Sequence, residues 1–322
     1  MSTEAIASSP LPSALPDTRK KSRKRTWTSR ETRIGWMFAA PFTAFFLLSM
    51  VAPIIASIYN SFFKQQLANG GLGGTETVPA GFSNYVDVLT DGAFWSGMLN
   101  VAEYGVIKIP LVQGSALILA LLLDSLAARG IKFFRLSYFL PYAIPGVVAA
   151  IVWGYLYSPN LSPFSGLLSF FGLPKDFMLL PGVLNFSMSN MTAWTFVGYN
   201  MIIFMATLKS VPHELYEAAR IDGANEWQVV TKIKLPALKG AALMTVLMSI
   251  VGTIQWFNEP VVLRTMTPAI DTNYTPMMMA YNQAFGSNQM GAASATSVVM
   301  AVVAGLLAAL YALAQSRIGR SK

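Results

Sequence analysis

Few residue types in this chain could act as nucleophiles, metal ligands or proton carriers, and their number limits its chemistry. The 322 residues include no cysteine and a single histidine, His213. Thiol nucleophiles, disulfides, cysteine metal sites, histidine-based triads and multi-histidine metal sites are therefore excluded. The sequence also has no G-x4-GK followed by Ser or Thr, the loop that holds ATP phosphates. We expect no catalytic residue, metal or cofactor on this chain.

The composition indicates which elements must position the remaining polar residues. Hydrophobic residues make up 54% of the chain and charged residues 12%, with a mean hydropathy of +0.48. A soluble domain carries about 25% charged residues. Six apolar stretches are long enough to cross ~30 Å of hydrocarbon, which takes about 20 helical residues. They run over 34–60, 97–127, 134–157, 186–208, 239–262 and 291–315. We predict an all-α membrane protein with six transmembrane helices.

The distribution of basic residues predicts which loops face the cytoplasm. With the N-terminus inside, 19 of the 23 Lys and Arg residues lie on the inner side, eight of them before residue 34. This bias is typical of cytoplasmic loops and argues against a nucleic-acid surface, despite the net charge of +8. We predict a disordered basic tail over 1–33, a six-helix transmembrane domain over 34–316 and a short basic C-terminus over 317–322, with both termini cytoplasmic.

Ionisable residues inside the apolar stretches are few. Lys108 is expected to reach from the second stretch to the outer interface, and Glu103 and Glu259 are expected near that interface. Asp124 falls at the inner end of the second stretch, near Arg129. None of these residues forms the chain of acidic groups in mid-membrane that a proton-coupled carrier needs.

The inner connection over residues 209–239 is too long for a simple link and is not composed like a disordered one. Pro212 suits the start of a helix, and Gly223 suits its end because glycine adopts the left-handed conformation. Apolar or long side chains recur at helical spacing in two sets: Leu215, Ala218 and Ala219, then Trp227, Val230 and Lys234. Two amphipathic helices in the cytoplasm need a surface that covers them, so we expect a partner protein.

The same connection carries a family motif. Glu217-Ala218-Ala219 is followed at the right spacing by Gly223 and by Ile233-x-Leu235-Pro236, which reproduces EAA-x3-G-x9-I-x-LP. The chain therefore resembles permease subunits of ATP-binding-cassette importers, in the carbohydrate branch that includes the maltose importer. The resemblance covers about residues 34–316 and includes FSNYVDVLTDGAFW (82–95) and FLPYAIPGVVAAIVW (139–153).

The resemblance implies a type I importer permease in a bacterial cytoplasmic membrane. It implies a second homologous permease, two ATPase subunits that use ATP and Mg, an extracytoplasmic solute-binding protein and a sugar cargo. The loop would be the coupling element that docks on the ATPase. Glu217 would make polar contact with it, Ala218 and Ala219 would permit close packing, and Gly223 would allow the turn, with Ile233, Leu235 and Pro236 completing the motif.

The resemblance also implies a substrate pathway through the third, fourth and fifth spans. Aromatic faces stack on sugar rings, and hydroxyls and amides bind sugar hydroxyls. The aligned positions are Tyr142, Gly146, Thr192, Thr195, Phe196, Tyr199, Gly252, Thr253 and Trp256. Only Tyr142 and Tyr199 keep the residue of the maltose permease. Either the cargo differs from maltose, or the partner permease holds the sugar.

Several alternatives remain open from the sequence. Interhelical packing would explain the same pathway residues. The outer segment 257–285 is either a surface that contacts the binding protein and partly re-enters the membrane, as in the family, or an ordinary surface loop. The cargo could be a polyol or glycerol-3-phosphate. A secondary carrier or a membrane scaffold would explain six spans but not the complete motif.

Overall fold

The computed structural model describes residues 29–67, 75–125 and 130–320. The predicted tail up to residue 28 and the last two residues lie outside that part. The described part of the chain divides into two units, with the boundary between Pro53 and Ile54.

The first unit contains the start of the first span. Helix α1 (Ser29–Phe46) is followed by a π-helical turn, Leu47–Val51. Pro53 has no amide hydrogen to donate, and the amide of Ala52 donates to the Leu47 carbonyl one residue further back than in an α-helix. Trp36, Phe38 and Phe42 are exposed, as expected of side chains that face lipid.

The rest of the chain is mostly helical, with one short hairpin. Strands β1 (Phe63–Leu67) and β2 (Thr75–Pro79) pair antiparallel, with Gln65 opposite Thr77, and the sequence analysis did not predict them. The helices are α2 (Ala52–Asn60), α3 (Ser83–Thr90), α4 (Gly92–Asp124), α5 (Ile131–Phe139), α6 (Gly146–Tyr157), α7 (Ser165–Phe170), α8 (Pro181–Lys209), α9 (His213–Ile221), α10 (Glu226–Val229), α11 (Leu235–Ile254), α12 (Asn258–Leu263), α13 (Pro276–Tyr281) and α14 (Met290–Arg320).

Five helical segments of the described chain are long and apolar enough to cross a membrane, and a sixth is bent. The five are Arg33–Asn60, Gly92–Asp124, Pro181–Lys209, Glu226–Leu263 and Met290–Ser316. The predicted third span, 134–157, is instead two segments, Ile131–Ala143 and Gly146–Tyr157, bent by 100°. Pro145 explains the break, since it has no amide donor and forces the preceding residue, Ile144, into an extended conformation.

The core lies where α8 crosses α4. Between them, α4 and α8 contribute Tyr104, Leu184, Met188 and Met191 to one buried cluster. At the other end of the same helices, a second cluster joins residues of α4 and α8 to Leu238 of α11. Gly198 on α8 allows the carbonyl of Tyr138 to come so close that a Cβ would collide with it. The fourth span is therefore fixed on two sides, and its polar residues have defined positions.

Candidate transport cavity and EAA loop

A cavity of about 220 Å³ lies among α4, α8, α11 and the start of α12. Its walls combine aromatic rings with hydroxyl, amide and charged groups. The lining residues are Tyr104, Lys108, Val112, Thr192, Phe196, Tyr199, Asn200, Thr245, Met248, Ser249, Gly252, Gln255, Trp256, Phe257, Asn258 and Glu259. Five of the nine predicted pathway residues are among them, namely Thr192, Phe196, Tyr199, Gly252 and Trp256.

A hydrogen-bonded chain crosses one wall of this cavity. Thr192 Oγ1 lies 2.6 Å from Tyr104 Oη and 2.8 Å from Glu259 Oε1. Because a carboxylate only accepts, Thr192 donates to Glu259 and Tyr104 donates to Thr192. The Tyr104 ring stacks on Trp256 with centroids 3.8 Å apart and an interplanar angle of 4°. These contacts join α4, α8 and the segment after α11 into one preorganised polar wall.

Lys108 belongs to the cavity, which corrects the expectation that it reaches the outer interface. Its exposed fraction is only 7%, and its Nζ lies 3.2 Å from Thr253 Oγ1 and 5.4 Å from the centre of the Tyr104 ring. Its ammonium forms no ion pair within the described residues. Glu259 also lines the cavity. The cavity therefore holds one cation and one anion.

Three aromatic residues from two segments meet beside this polar wall. The Tyr142 and Tyr199 rings stack with centroids 4.7 Å apart at 17°, and Tyr142 meets Phe196 edge-on at 5.8 Å. Each of the three side chains is about 40% exposed, whereas Trp256 is 3% exposed. The break of the third span at Pro145 leaves Tyr142 in a short 3-10 turn, where it reaches α8.

The other predicted pathway residues support the cavity or lie away from it. A Cβ on Gly146 would come 2.9 Å from Nδ2 of Asn258, so this glycine admits a cavity-lining amide. Thr253 accepts from Lys108, and its hydroxyl donates to the Ser249 carbonyl. Thr195 is buried, donates to the Met191 carbonyl within its own helix and does not line the cavity.

The loop over residues 209–239, called the EAA loop below, has two short helices with a sharp turn between them. Helix α9 ends at Ile221, and Gly223 has a φ of 79°, in the left-handed region predicted for it. Asn225 then caps α10: its side chain accepts from the Gln228 amide, and the Gln228 side chain accepts from the Asn225 amide. Asn225 and Gln228 fix where the second helix begins, and the sequence analysis did not use them.

Most of the EAA loop is exposed. No residue of α9 is buried, and Glu217 and Ala218 are exposed. The large apolar side chains of Leu215, Ile221 and Trp227 are 51%, 86% and 73% exposed. The helical spacing of Trp227, Val230 and Lys234 does not give a buried face, because Lys234 is buried together with Val229 while Trp227 is exposed. The π-helical turn Val230–Lys234 changes the repeat that the prediction assumed.

Residues 116–320 match the family described as the binding-protein-dependent transport system inner membrane component. The matched region covers more than half of the chain and contains the EAA loop. The chain belongs to this family. The family resemblance predicted from the EAA motif is thereby confirmed.

Relatives in this transport family are similar over most of the chain. It is 30% identical over 274 residues to the probable ABC transporter permease protein YurN of Bacillus subtilis, covering 84% of this chain and 91% of YurN. It is 29% identical over 296 residues to the arabinooligosaccharides transport system permease protein AraP of the same organism, covering 91% of each. It is 30% identical to the lactose transport system permease protein LacF of Rhizobium radiobacter, covering 70% of this chain and 74% of LacF.

Solved structures share the fold. A chain of a bacterial ABC transporter that imports the acidic polysaccharide alginate superposes with a TM-score of 0.76 at 20% identity. That likeness covers 90% of this chain and 98% of the other chain. A second structure of such a transporter, in complex with an alginate pentasaccharide-bound periplasmic protein, gives the same TM-score at 21% identity. The type I importer permease fold predicted from the motif is confirmed.

The outer segment 257–285 is not an ordinary surface loop in this family member. Leu263, Ile270 and Met278 from this segment are buried in the same core cluster as Tyr104. Asn100 of α4 donates to the Tyr274 carbonyl, and Thr275 donates to the Trp256 carbonyl. The segment therefore folds back against the spans, as one of the two alternatives expected. Its contact with a binding protein stays a prediction.

The sequence analysis noticed the two charged residues of the cavity, Lys108 and Glu259, but did not place them in the substrate pathway. Val101, Gly105, Lys108 and Val112 are spaced by three or four residues and are all buried. That spacing is the signal that places Lys108 on the inner face of α4. For Glu259, the signal is its position three residues after Trp256, a predicted pathway residue. The roles assigned to all the pathway and EAA-loop residues remain predictions.

Proposed function

We propose that this chain is a permease subunit of an ATP-driven, binding-protein-dependent sugar importer. It would form half of the translocation pathway and couple to the ATPase through the EAA loop. Family membership supports binding-protein-dependent import over a secondary carrier or a scaffold. Relatives named for transport of arabinooligosaccharides, lactose and alginate support a carbohydrate cargo.

The lining of the cavity is the observation that supports a sugar as the cargo. A sugar ring offers an apolar face for stacking and hydroxyls that both donate and accept. Tyr199 and Phe196 supply half-exposed aromatic faces, while Lys108 can only donate and ionised Glu259 can only accept. An uncharged sugar, with one hydroxyl toward each, would satisfy both groups. An anionic cargo such as glycerol-3-phosphate would pair with Lys108 but meet the Glu259 carboxylate, whereas an uncharged polyol would meet no like charge, so a polyol is the stronger alternative.

The proposed mechanism is alternating access between a binding protein outside and two ATPase subunits inside. ATP and Mg would be used by the ATPase subunits and not by this chain. Closure of the ATPase dimer would move the docked EAA loop and turn the cavity outward, where the binding protein releases its sugar. Hydrolysis would then return the cavity to the inward-facing state. A second homologous permease would supply the other half of the pathway in the bacterial cytoplasmic membrane, with both termini of this chain in the cytoplasm.

Uptake by reconstituted vesicles tests this proposal. Vesicles that contain the two permeases, the ATPase subunits and the binding protein are loaded with ATP and Mg. They are then supplied with labelled neutral oligosaccharides, a polyol, glycerol-3-phosphate or an acidic oligosaccharide. We expect vanadate-sensitive uptake of a neutral sugar that requires both ATP and the binding protein. Uptake that persists with vanadate and without ATP would establish a secondary carrier instead. Selective uptake of a polyol or glycerol-3-phosphate would replace the sugar as cargo.

A further inference from the structure

A buried ion pair ties the EAA loop to the second span. Lys234 Nζ lies 2.8 Å from Asp124 Oδ2, and the two side chains are 8% and 20% exposed. Tyr216 of α9 lies over the lysine, with its ring centre 5.8 Å from Nζ. We propose that Asp124, Lys234 and Tyr216 form the joint that transmits movement of α9 to the inner ends of the second and fifth spans. This inference rests on the proposed function, because it assumes that an ATPase moves α9.

The π-helical turn explains how Lys234 comes to face inward. Val229, Lys234 and Leu238 are buried in succession, with steps of five and then four residues. An α-helix repeats every three or four residues, so Lys232 or Ile233 would otherwise follow Val229 on that face. The amide of Leu235 donates to the Val230 carbonyl, five residues back, and Pro236 has no amide to continue an α-helical ladder. Lys234 occupies the unspecified position of the I-x-LP motif.

Tyr216 closes the joint from the loop side. Its hydroxyl oxygen is buried and has no hydrogen-bond partner among the described residues. Burial raises the pKa of Tyr216, and the Asp124 carboxylate raises it further, so the hydroxyl stays protonated and the ring uncharged. Tyr216 therefore interacts with the Lys234 ammonium through the face of its ring. Such a cation–π attraction is stronger where water is excluded. The contact links α9, otherwise exposed, to a buried charge.

A second ion pair shows why burial matters here. Lys64 and Asp87, near the hairpin, also lie close, at 2.6 Å, but their side chains are 34% and 62% exposed. Exposed pairs contribute little because water solvates either charge when the pair separates. When one partner of a largely buried pair is removed, the other charge loses its partner and is only poorly solvated. The buried pair therefore strongly favours one arrangement of the three elements, which a transmitting joint requires.

The test compares single and paired substitutions in the complete transporter. Asp124→Asn and Lys234→Met are each reconstituted with the partner permease, the ATPase and the binding protein loaded with the sugar that uptake selects. We expect normal binding of the ATPase but at least about a tenfold drop in sugar transported per ATP hydrolysed. Lys64→Met and Asp87→Asn remove the exposed pair and are the matched control, with no change expected.

Exchanging the charges separates a joint from a merely structural contact. In the double variant Asp124→Lys with Lys234→Asp, we expect recovery of more than half of the transport per ATP that Asp124→Lys and Lys234→Asp each lose alone. If single variants do not assemble, this exchange decides alone. Losses that add up in the exchanged protein would overturn the proposal, as would wild-type transport per ATP in assembled single variants.

Substitutions of Tyr216 test the loop side independently. Tyr216→Phe keeps the ring and removes an unpartnered hydroxyl, so transport per ATP should stay unchanged. Tyr216→Ala should lower it several-fold, because the contact between α9 and Lys234 is lost. Equal behaviour of the two variants would contradict the role of the ring. If the wild-type complex shows no ATP-driven uptake, the proposed function fails. If it does and every variant couples normally, only the joint fails.

Discussion

The cavity and the EAA loop differ in how far their side chains are bonded to, or buried against, other residues of the same chain. In the cavity, Tyr104, Thr192 and Glu259 bond to one another, and Trp256 is buried against a ring of the same chain. In the EAA loop, Ile221 and Trp227 expose most of their apolar surface. The polar wall of the cavity is therefore hydrogen-bonded within the chain. Exposed apolar surface of this kind is typical of an interaction site, which is the role proposed for the loop.

The largest expected effect is a loss of ATPase binding when a residue of the exposed EAA loop is substituted. Glu217→Lys reverses a charge at the centre of α9, where we propose contact with the ATPase. If that contact is among the few that dominate an interface, ATPase binding should fall by about thirtyfold. Asp176→Lys makes the same reversal at an exposed position outside the loop and should leave binding unchanged. Binding affinity of the purified ATPase for each permease variant is the measurement, and equal affinities would remove Glu217 from the interface.

The next effect concerns the shape of the loop and not its charge. Gly223 has open space around a Cβ, so only its φ of 79° restricts a substitution. Gly223→Val should reduce transport about tenfold, because a branched side chain in this conformation costs at least about 1–2 kcal/mol. Gly223→Asn is the control, since asparagine tolerates left-handed backbone, and it should keep most of the activity. If valine and asparagine were equally active, the turn would not depend on backbone conformation.

A smaller effect is expected in the cavity. Tyr199→Ala removes a half-exposed ring that stacks on Tyr142, and it should raise the KM for the transported sugar about fivefold, as expected for about 1 kcal/mol of stacking. Tyr199→Phe keeps the ring and should change KM little. Neither substitution should affect ATPase binding. In contrast, Glu217→Lys should weaken ATPase binding and Gly223→Val should reduce transport. A Tyr199→Ala variant with unchanged KM would assign this residue to packing.

The sequence predicted the family, the helical fold and the turn at Gly223 because each depends on local pattern. Two features depended on contacts that a linear pattern does not show. Lys108 was expected at the interface, since a lone lysine in lipid is costly, but Thr253 and the Tyr104 ring hold it in the cavity. Lys234 was assigned an α-helical face that the π-helical turn shifts.

Proline explains the π-helical turn that displaces Lys234, and a second turn of the same kind in the first span. The π-helical turns Leu47–Val51 and Val230–Lys234 each end two residues before a proline, Pro53 and Pro236. In both, the last amide before the proline donates five residues back. At these two prolines the residues of the helix change face across the preceding turn, whereas α4 continues as an α-helix through Pro110. A π-helical turn leaves the fold class unchanged, but it changes which residues of the helix face inward.

Site-specific labelling tests the central comparison most directly. The chain has no cysteine, so Ile221→Cys on the loop and Met248→Cys in the cavity each introduce a unique thiol. Both parent side chains are exposed, at 86% and 57%. We predict that ATPase subunits protect the Ile221→Cys thiol from a maleimide and that the transported sugar does not, whereas the sugar slows labelling of Met248→Cys. Full labelling of Ile221→Cys in the assembled complex would contradict the account.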